Sequence, residues 1–304
     1  MNARANPVNG GQGPGGILER MQITGATIES GALLPSAPGP DTYIMWRRLP
    51  HPSIADAVVD LVGYQETSRG HFRQVDAASL VVPLVIGFGE PFEIGLGRIP
   101  GISDRQSSFV GGLFGGPVVI DSFGACSCIQ INFTPLGAYR FFGRAMHELS
   151  NRMVDTDDVL GPKAFALRDR LGEEADWQKR FDIVERMVRG RLRSAQLPSA
   201  SAVSAYRQIV EGHGAGSIAA LATRVNCSRK HLAAMFHEEV GLSPKSVARI
   251  ARFNFVKRLA RRGGGWADIA AQCGYTDQPH LVREFAEFAG ETPAAWKART
   301  SLPR

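Results

Sequence analysis

The stretch SRKHLAAMFHEEVGLSP (228–244) returns in altered form as DQPHLVREFAEFAGETP (277–293). Leu232 and Phe236 answer to Leu281 and Phe285, Gly241 to Gly290, and Ser243-Pro244 to Thr292-Pro293, each pair at the same interval. A pattern present twice at a period of roughly fifty residues implies a duplicated supersecondary unit; a solenoid needs at least three copies.

Each copy reads as helix, tight turn, helix. Ser217 can cap a short helix through Leu221 and Ala222, Val225-Asn226-Cys227 breaks it, and Ser228 can cap a second helix through Phe236. Asn226 tolerates a left-handed backbone, and the small Ala222 leaves room for the helices to cross closely. In the second copy Ala267 to Gln272 form the first helix with Ile269 and Ala270 inward, and Cys273-Gly274-Tyr275 make the turn. Thr276 or Asp277 then caps a helix to Phe288, with Pro279 in its first turn where a missing N–H does no harm. The second turn is one residue longer than the first. Between the units, Pro244 to Arg262 has no internal Gly or Pro and stops at Gly263-Gly264-Gly265. One helix of about nineteen residues, roughly 28 Å long, is expected there. That length is close to one turn of B-DNA, roughly 34 Å, so the second helices of both units could enter successive major-groove segments.

On Ser228-Arg229-Lys230-His231-Leu232, Phe236, Gly241-Leu242-Ser243-Pro244, Ile269-Ala270, Cys273-Gly274-Tyr275, Phe285, Gly290 and Thr292-Pro293, the stretch from Ser217 to Arg299 resembles the DNA-binding domain of the AraC/XylS family of bacterial transcription regulators. The resemblance implies two helix-turn-helix units on a linker helix, with double-stranded promoter DNA and RNA polymerase as partners and activation as the usual outcome. It leaves room for a small-molecule effector and a homodimer. Helix geometry and the family's pattern together nominate Ser228, Arg229, Lys230, Ala233 and Ala234 of the first recognition helix, and Asp277, Gln278, His280 and Arg283 of the second, as the DNA-facing set. Arg283 can grip guanine O6/N7 and Gln278 an adenine edge. The two alanines depart from the longer polar side chains common there and offer only apolar contact, such as to a thymine methyl. Arg249, Arg252, Lys257, Arg258, Arg261 and Arg262 read as a solvated face with some phosphate contacts.

Charge agrees with this division. The whole chain carries +6, yet residues from Ser201 onward hold 15 Lys+Arg against 8 Asp+Glu, while the first 200 hold 20 against 21. A basic C-terminal third suits a polyanion partner. Four cysteines in 304 residues make no disulfide framework. The start has no apolar signal segment, and the longest dense apolar stretch, Leu80 to Phe88, is too short to span a bilayer, so a cytoplasmic protein without a membrane partner is expected.

Residues 1–45 are Gly-, Pro-, Ser- and Asn-rich and read as a disordered leader. Pro52 to Val62 fits a short helix or an irregular strand. Ser79–Phe88, Phe92–Ile99, Ser107–Leu113, Pro117–Ser122 and Ala125–Phe133 read as short strands punctuated by Gly and Pro, a barrel or sandwich pattern. Helices follow over Leu136–Met146, Val159–Leu171 and Trp177–Leu192. The fold class is therefore α+β. A β-rich sensor or dimerisation domain with C-terminal helices (46–193), similar to the cupin-like domains of this family, joins through a linker (194–204) to an all-α bipartite helix-turn-helix domain (205–300).

The expected strands between Ser79 and Phe133 hold no histidine, and His51, His71 and His147 fall outside them. Metal-dependent cupin chemistry needs such ligands, so neither a cofactor, a metal nor an enzymatic activity is expected. Phe88, Phe92, Ile94, Phe109, Phe114, Phe123 and Phe133 suit a core as well as an effector pocket, and no ligand site is assigned. Cys126 and Cys128, two residues apart, suit two small buried residues beside Ile129 and Ile131, or a thiol sensor or soft-metal pair. They define the alternative function: a DNA-repair or alkyl-acceptor protein using the same DNA-binding module, with Cys126 or Cys128 as nucleophile.

Overall fold

The computed structural model describes residues 34–35, 43–67 and 69–301. Apart from Leu34–Pro35 and Tyr43-Ile44-Met45, the expected leader lies outside the described residues. The strands are β1 (Leu34–Pro35), β2 (Tyr43–Arg48), β3 (Val58–Glu66), β4 (Arg69–Asp76), β5 (Val82–Gly87), β6 (Phe92–Leu96), β7 (Arg105–Gln106), β8 (Ser108–Gly111), β9 (Val118–Gly124), β10 (Ser127–Phe133) and β11 (Met153–Asp155). They form two antiparallel sheets, ordered β1-β2-β3-β10-β5-β8-β11 and β4-β9-β6-β7.

All five strands expected between Ser79 and Phe133 are present, four of them trimmed within the expected bounds and β9 running two residues past Ser122. Pro52–Ile54 forms one 3-10 turn and Val58 opens β3, so the ambiguous segment holds both a helical turn and a strand. The charged β4 has no counterpart in the sequence reading. It lies on the edge of the smaller sheet, where polar residues facing water hide the apolar alternation. His71 therefore sits on a strand after all, with its Nε2 3.3 Å from Asp121 Oδ1 and its ring stacked on Phe123.

The helices are α1 (Pro135–Phe142), α2 (Thr156–Leu160), α3 (Lys163–Glu173), α4 (Trp177–Arg193), α5 (Ala200–Glu211), α6 (Ile218–Arg224), α7 (Arg229–Glu239), α8 (Pro244–Arg261), α9 (Trp266–Gln272), α10 (Gln278–Ala289) and α11 (Pro293–Ser301). The single helix expected over Val159–Leu171 is two, because Gly161 takes φ +67° and Pro162 follows it. The expected linker is helical in its second half. Ser199 caps α5 by accepting the Ala202 N–H, and its own N–H donates to Glu239 Oε2 of α7 at 2.8 Å. Of the four serines that suggest a linker, Ser194 ends α4, Ser199 caps α5, and Ser201 and Ser204 lie within α5.

Alternation along the larger sheet sorts its side chains into two cores. Val62, Tyr64, Val85 and Cys128 face the smaller sheet and meet Phe92 and Ile94 from β6. Leu61, Leu84, Ile86, Ile129 and Ile131 face the helices, joining Phe141 of α1, Phe181 and Val184 of α4, and Leu232, Phe236 and Val240 at the first repeat unit. Helix α4 rides directly on β3, where a Cβ on Gly63 would overlap the Trp177 ring, itself stacked on Trp46 at 4.0 Å between centroids.

Both repeat glycines face the N-terminal domain. Gly241 (φ +93°) lies against Ser150 and the Met146 carbonyl, and Gly290 (φ +72°) against Pro117. The His147 and His237 rings stack at 4.1 Å beside the first contact, and the Ala78 N–H donates to the Phe288 carbonyl beside the second. Replacing Gly241 with alanine combines a disfavoured positive φ with a clash into Ser150 and the Met146 backbone. We expect G241A to lose about 1–3 kcal/mol of stability, read as a lower urea midpoint; an unchanged midpoint would contradict this seam.

Candidate nucleic-acid interface

The two units share one turn geometry. Asn226 (φ +53°) and Gly274 (φ +72°) hold the left-handed position. The next N–H closes back over it in each case, from Cys227 to the Ala222 carbonyl at 3.0 Å and from Tyr275 to the Ala270 carbonyl at 2.9 Å. Ser228 then caps α7 through the His231 N–H (3.1 Å), and Asp277 caps α10 through the His280 N–H (2.7 Å). Each cap satisfies one of the donors that a helix start leaves open. The second unit uses its additional residue between Gly274 and Asp277.

The recognition helices present the expected faces. Leu232 and Phe236 of α7 and Leu281 and Phe285 of α10 are buried, while Arg229, Lys230, Ala233, Ala234, Gln278 and Arg283 are exposed. Arg229, Lys230, Gln278 and Arg283 have no intramolecular side-chain partner among the described residues, which leaves their donors available. Ser228 and Asp277 are exposed but engaged as caps. His280 is half-buried, with its ring edge-on to Tyr275.

Several cations of the expected solvated face are committed elsewhere. Lys257 is 2 % exposed, its ammonium 4.7 Å from the Phe253 ring centroid. Arg249 pairs with Glu284 (2.9 Å) and Glu287 (2.6 Å), both on α10. The Tyr275 hydroxyl donates to the other Glu284 oxygen at 2.7 Å. Burial first, and then that hydrogen bond, push the Tyr275 phenol well above its usual range. This Arg249–Glu284–Tyr275 network pins α10 to α8 and to its own turn. Nothing in the sequence signals it, because Arg249 and Glu284 lie on different helices 35 positions apart.

Accessibility weighs against the cysteine alternative. Cys126 and Cys128 are buried in the intersheet core, and burial, reinforced by Glu66, pushes the Cys126 thiol up to about 12. Burial raises Cys128 as well. A protonated, enclosed thiol is a poor nucleophile. Of the suggested pocket residues, Ile94, Phe109 and Phe114 share a cavity of only about 80 Å³ between the sheets, whereas Phe133 points to the helix side and Phe123 is exposed. Among the described residues no three His, Cys, Asp or Glu side chains gather to hold a metal ion, and no helix is long and apolar enough to cross a membrane.

Two outcomes follow. Glu284→Ala should cost about 3 kcal/mol of stability, because it strands the buried Tyr275 hydroxyl and removes one partner of Arg249; chemical denaturation measures this. In native protein treated with iodoacetamide, half-buried Cys227 should label first, and Cys126 and Cys128 only after unfolding, as peptide mass spectrometry would reveal.

Residues 221–299 match the family model described as a helix-turn-helix domain. No curated protein matches the chain. Among solved structures it is similar to ToxT from Vibrio cholerae O395, at 9 % identity over 79 % of this chain and 96 % of that one, with a TM-score of 0.41. It is also similar to unsaturated fatty acid bound ToxT from Vibrio cholerae strain SCE256 (7 %, 86 % and 96 %, TM-score 0.42) and to the AraC-like transcriptional activator CuxR (13 %, 77 % and 88 %, TM-score 0.32). At these identities and scores the structural likenesses add nothing to the domain match. With two capped, geometrically matched units on one linker helix, residues 221–299 of this chain form a bipartite helix-turn-helix domain.

Proposed function

We propose that this protein activates transcription by binding an asymmetric promoter site, with α7 and α10 in successive major-groove segments of one duplex. The observation that carries the reading is the placement of Arg229, Lys230, Gln278 and Arg283, exposed and unpartnered on the N-terminal halves of two helices whose opposite faces are core. Helix N-termini also favour nearby phosphates. In this reading Arg283 takes a guanine, Gln278 an adenine edge, and Arg229 and Lys230 the backbone. Ala233 and Ala234 lie flat against a thymine methyl. Ser228 and Asp277 hold the helix starts, and His280 contributes from a half-buried position. RNA polymerase, a small-molecule effector and a second copy of the chain complete the expected partners, in the cytoplasm.

Fluorescence anisotropy against footprinted upstream DNA tests this. Arg283→Ala should cost about 1–3 kcal/mol on the specific site and relax discrimination at one base pair. Lys230→Ala should reduce the slope of log K against log salt by about one, with little change in sequence preference. Binding that is independent of sequence and indifferent to Arg283→Ala would sink the proposal.

A further inference from the structure

A cleft of about 730 Å³ lies where the N-terminal domain meets α5 and α8, outside the β-sandwich and away from the recognition helices. Its size is that of an ordinary small-molecule site. Val59 of β3, Tyr206 and Val210 of α5 and Phe255 of α8 line it. Val59 and Val210 are both more than a third exposed, so the cleft keeps apolar surface open that a ligand would cover.

The charge around this apolar slot is predominantly positive. Arg258, Arg261 and Arg262 line it, against the single carboxylate of Glu211. The Arg258 guanidinium is held 4.8 Å over the Phe255 ring, with its Nη2 2.8 Å from His213 Nε2. Arg262, exposed at the end of α8, makes no ion pair among the described residues. A further lining residue, Asn254, has its Oδ1 buried without a hydrogen-bond partner. Buried acceptors are nearly always satisfied, and an unsatisfied one needs an explanation.

We propose that this cleft binds a small organic anion: an apolar body of one or two rings against Val59, Tyr206 and Phe255, an acidic group on Arg258 and Arg262, and an N–H or O–H donor for Asn254. Such a molecule would touch the N-terminal domain and the linker helix at once. The inference stands apart from base reading, since it uses none of the residues nominated on α7 and α10, and it gives Arg258 and Arg262 an anion other than a DNA phosphate.

The full-length chain can be titrated with 8-anilino-1-naphthalenesulfonate, which carries rings, a sulfonate and an N–H, and with N-phenyl-1-naphthylamine, its uncharged twin. The expected result is one bound sulfonate probe per chain, about tenfold tighter than the twin, as charge-assisted pairing to arginine predicts. The double variant R258Q/R262Q should abolish that preference and leave the twin's affinity unchanged, whereas Asn254→Ala should weaken both probes. Val210→Trp, at an exposed rim position that tolerates bulk, should block both. Equal affinity of the two probes for the unaltered chain, or sulfonate binding that neither R258Q/R262Q nor Val210→Trp moves, overturns the proposal. Urea midpoints of the variants separate lost binding from lost folding.

Discussion

The helix-facing side of the seven-stranded sheet sets the terms for the rest of the molecule. Leu61, Leu84, Ile86, Ile129, Ile131 and Phe133 all point there and are almost wholly buried. Apolar area left in water costs about 25 cal/mol per Å², so this face needs a cover wider than one helix. Helices α1 and α4 supply part of it, and the first helix-turn-helix unit supplies more, since Leu232, Phe236, Val240 and Val247 belong to the same continuous core. The C-terminal region is therefore packed onto the sheet's helical layer rather than hung from a tether, and the Ser199–Glu239 bond ties down the segment between them.

The second unit is held by different means. Its core of Phe253, Ile269, Leu281, Phe285, Phe288 and Trp296 is its own, touched from the N-terminal domain by Ala77 and Ala78. Beyond the packing of Leu281, Phe285 and Phe288, its recognition helix is tied down by the ion pairs from Arg249 and the Tyr275–Glu284 bond. One reading helix thus leans on the sheet's core and the other on the linker helix, although both derive from one repeated sequence pattern. The charge near them differs as well, with Arg229 and Lys230 on the first and Gln278 and Arg283 on the second.

Local chemistry made the C-terminal third legible. Capping residues, a left-handed Asn226 or Gly274, and Leu/Phe stripes at helical spacing each determine structure within a few positions of themselves, and all appear where the sequence places them. What escaped depends on distant partners. Lys257 looks solvated from its neighbours but is enclosed by the tertiary fold around α8. Strand β4 looks polar because its sheet edge is wet, and α5 looks like a linker because serine serves both caps and loops. The cleft against α8 is likewise invisible in sequence, since its walls come from positions between Val59 and Arg262.

The repeat's glycines connect these levels. A glycine at the end of a recognition helix relieves the strain of a positive φ, which the sequence alone explains. The fold adds a second demand, because any Cβ at Gly241 would strike Ser150 and the Met146 carbonyl, and one at Gly290 would press on Pro117. The N-terminal domain therefore grips each recognition helix at its C-terminal end. The exposed residues proposed to face DNA, Arg229 and Lys230 on α7 and Gln278 and Arg283 on α10, lie in the N-terminal halves of these helices. Because grip and reading surface occupy different ends of the same rigid helices, the docked N-terminal domain leaves the reading side chains exposed while bearing on how both helices are held.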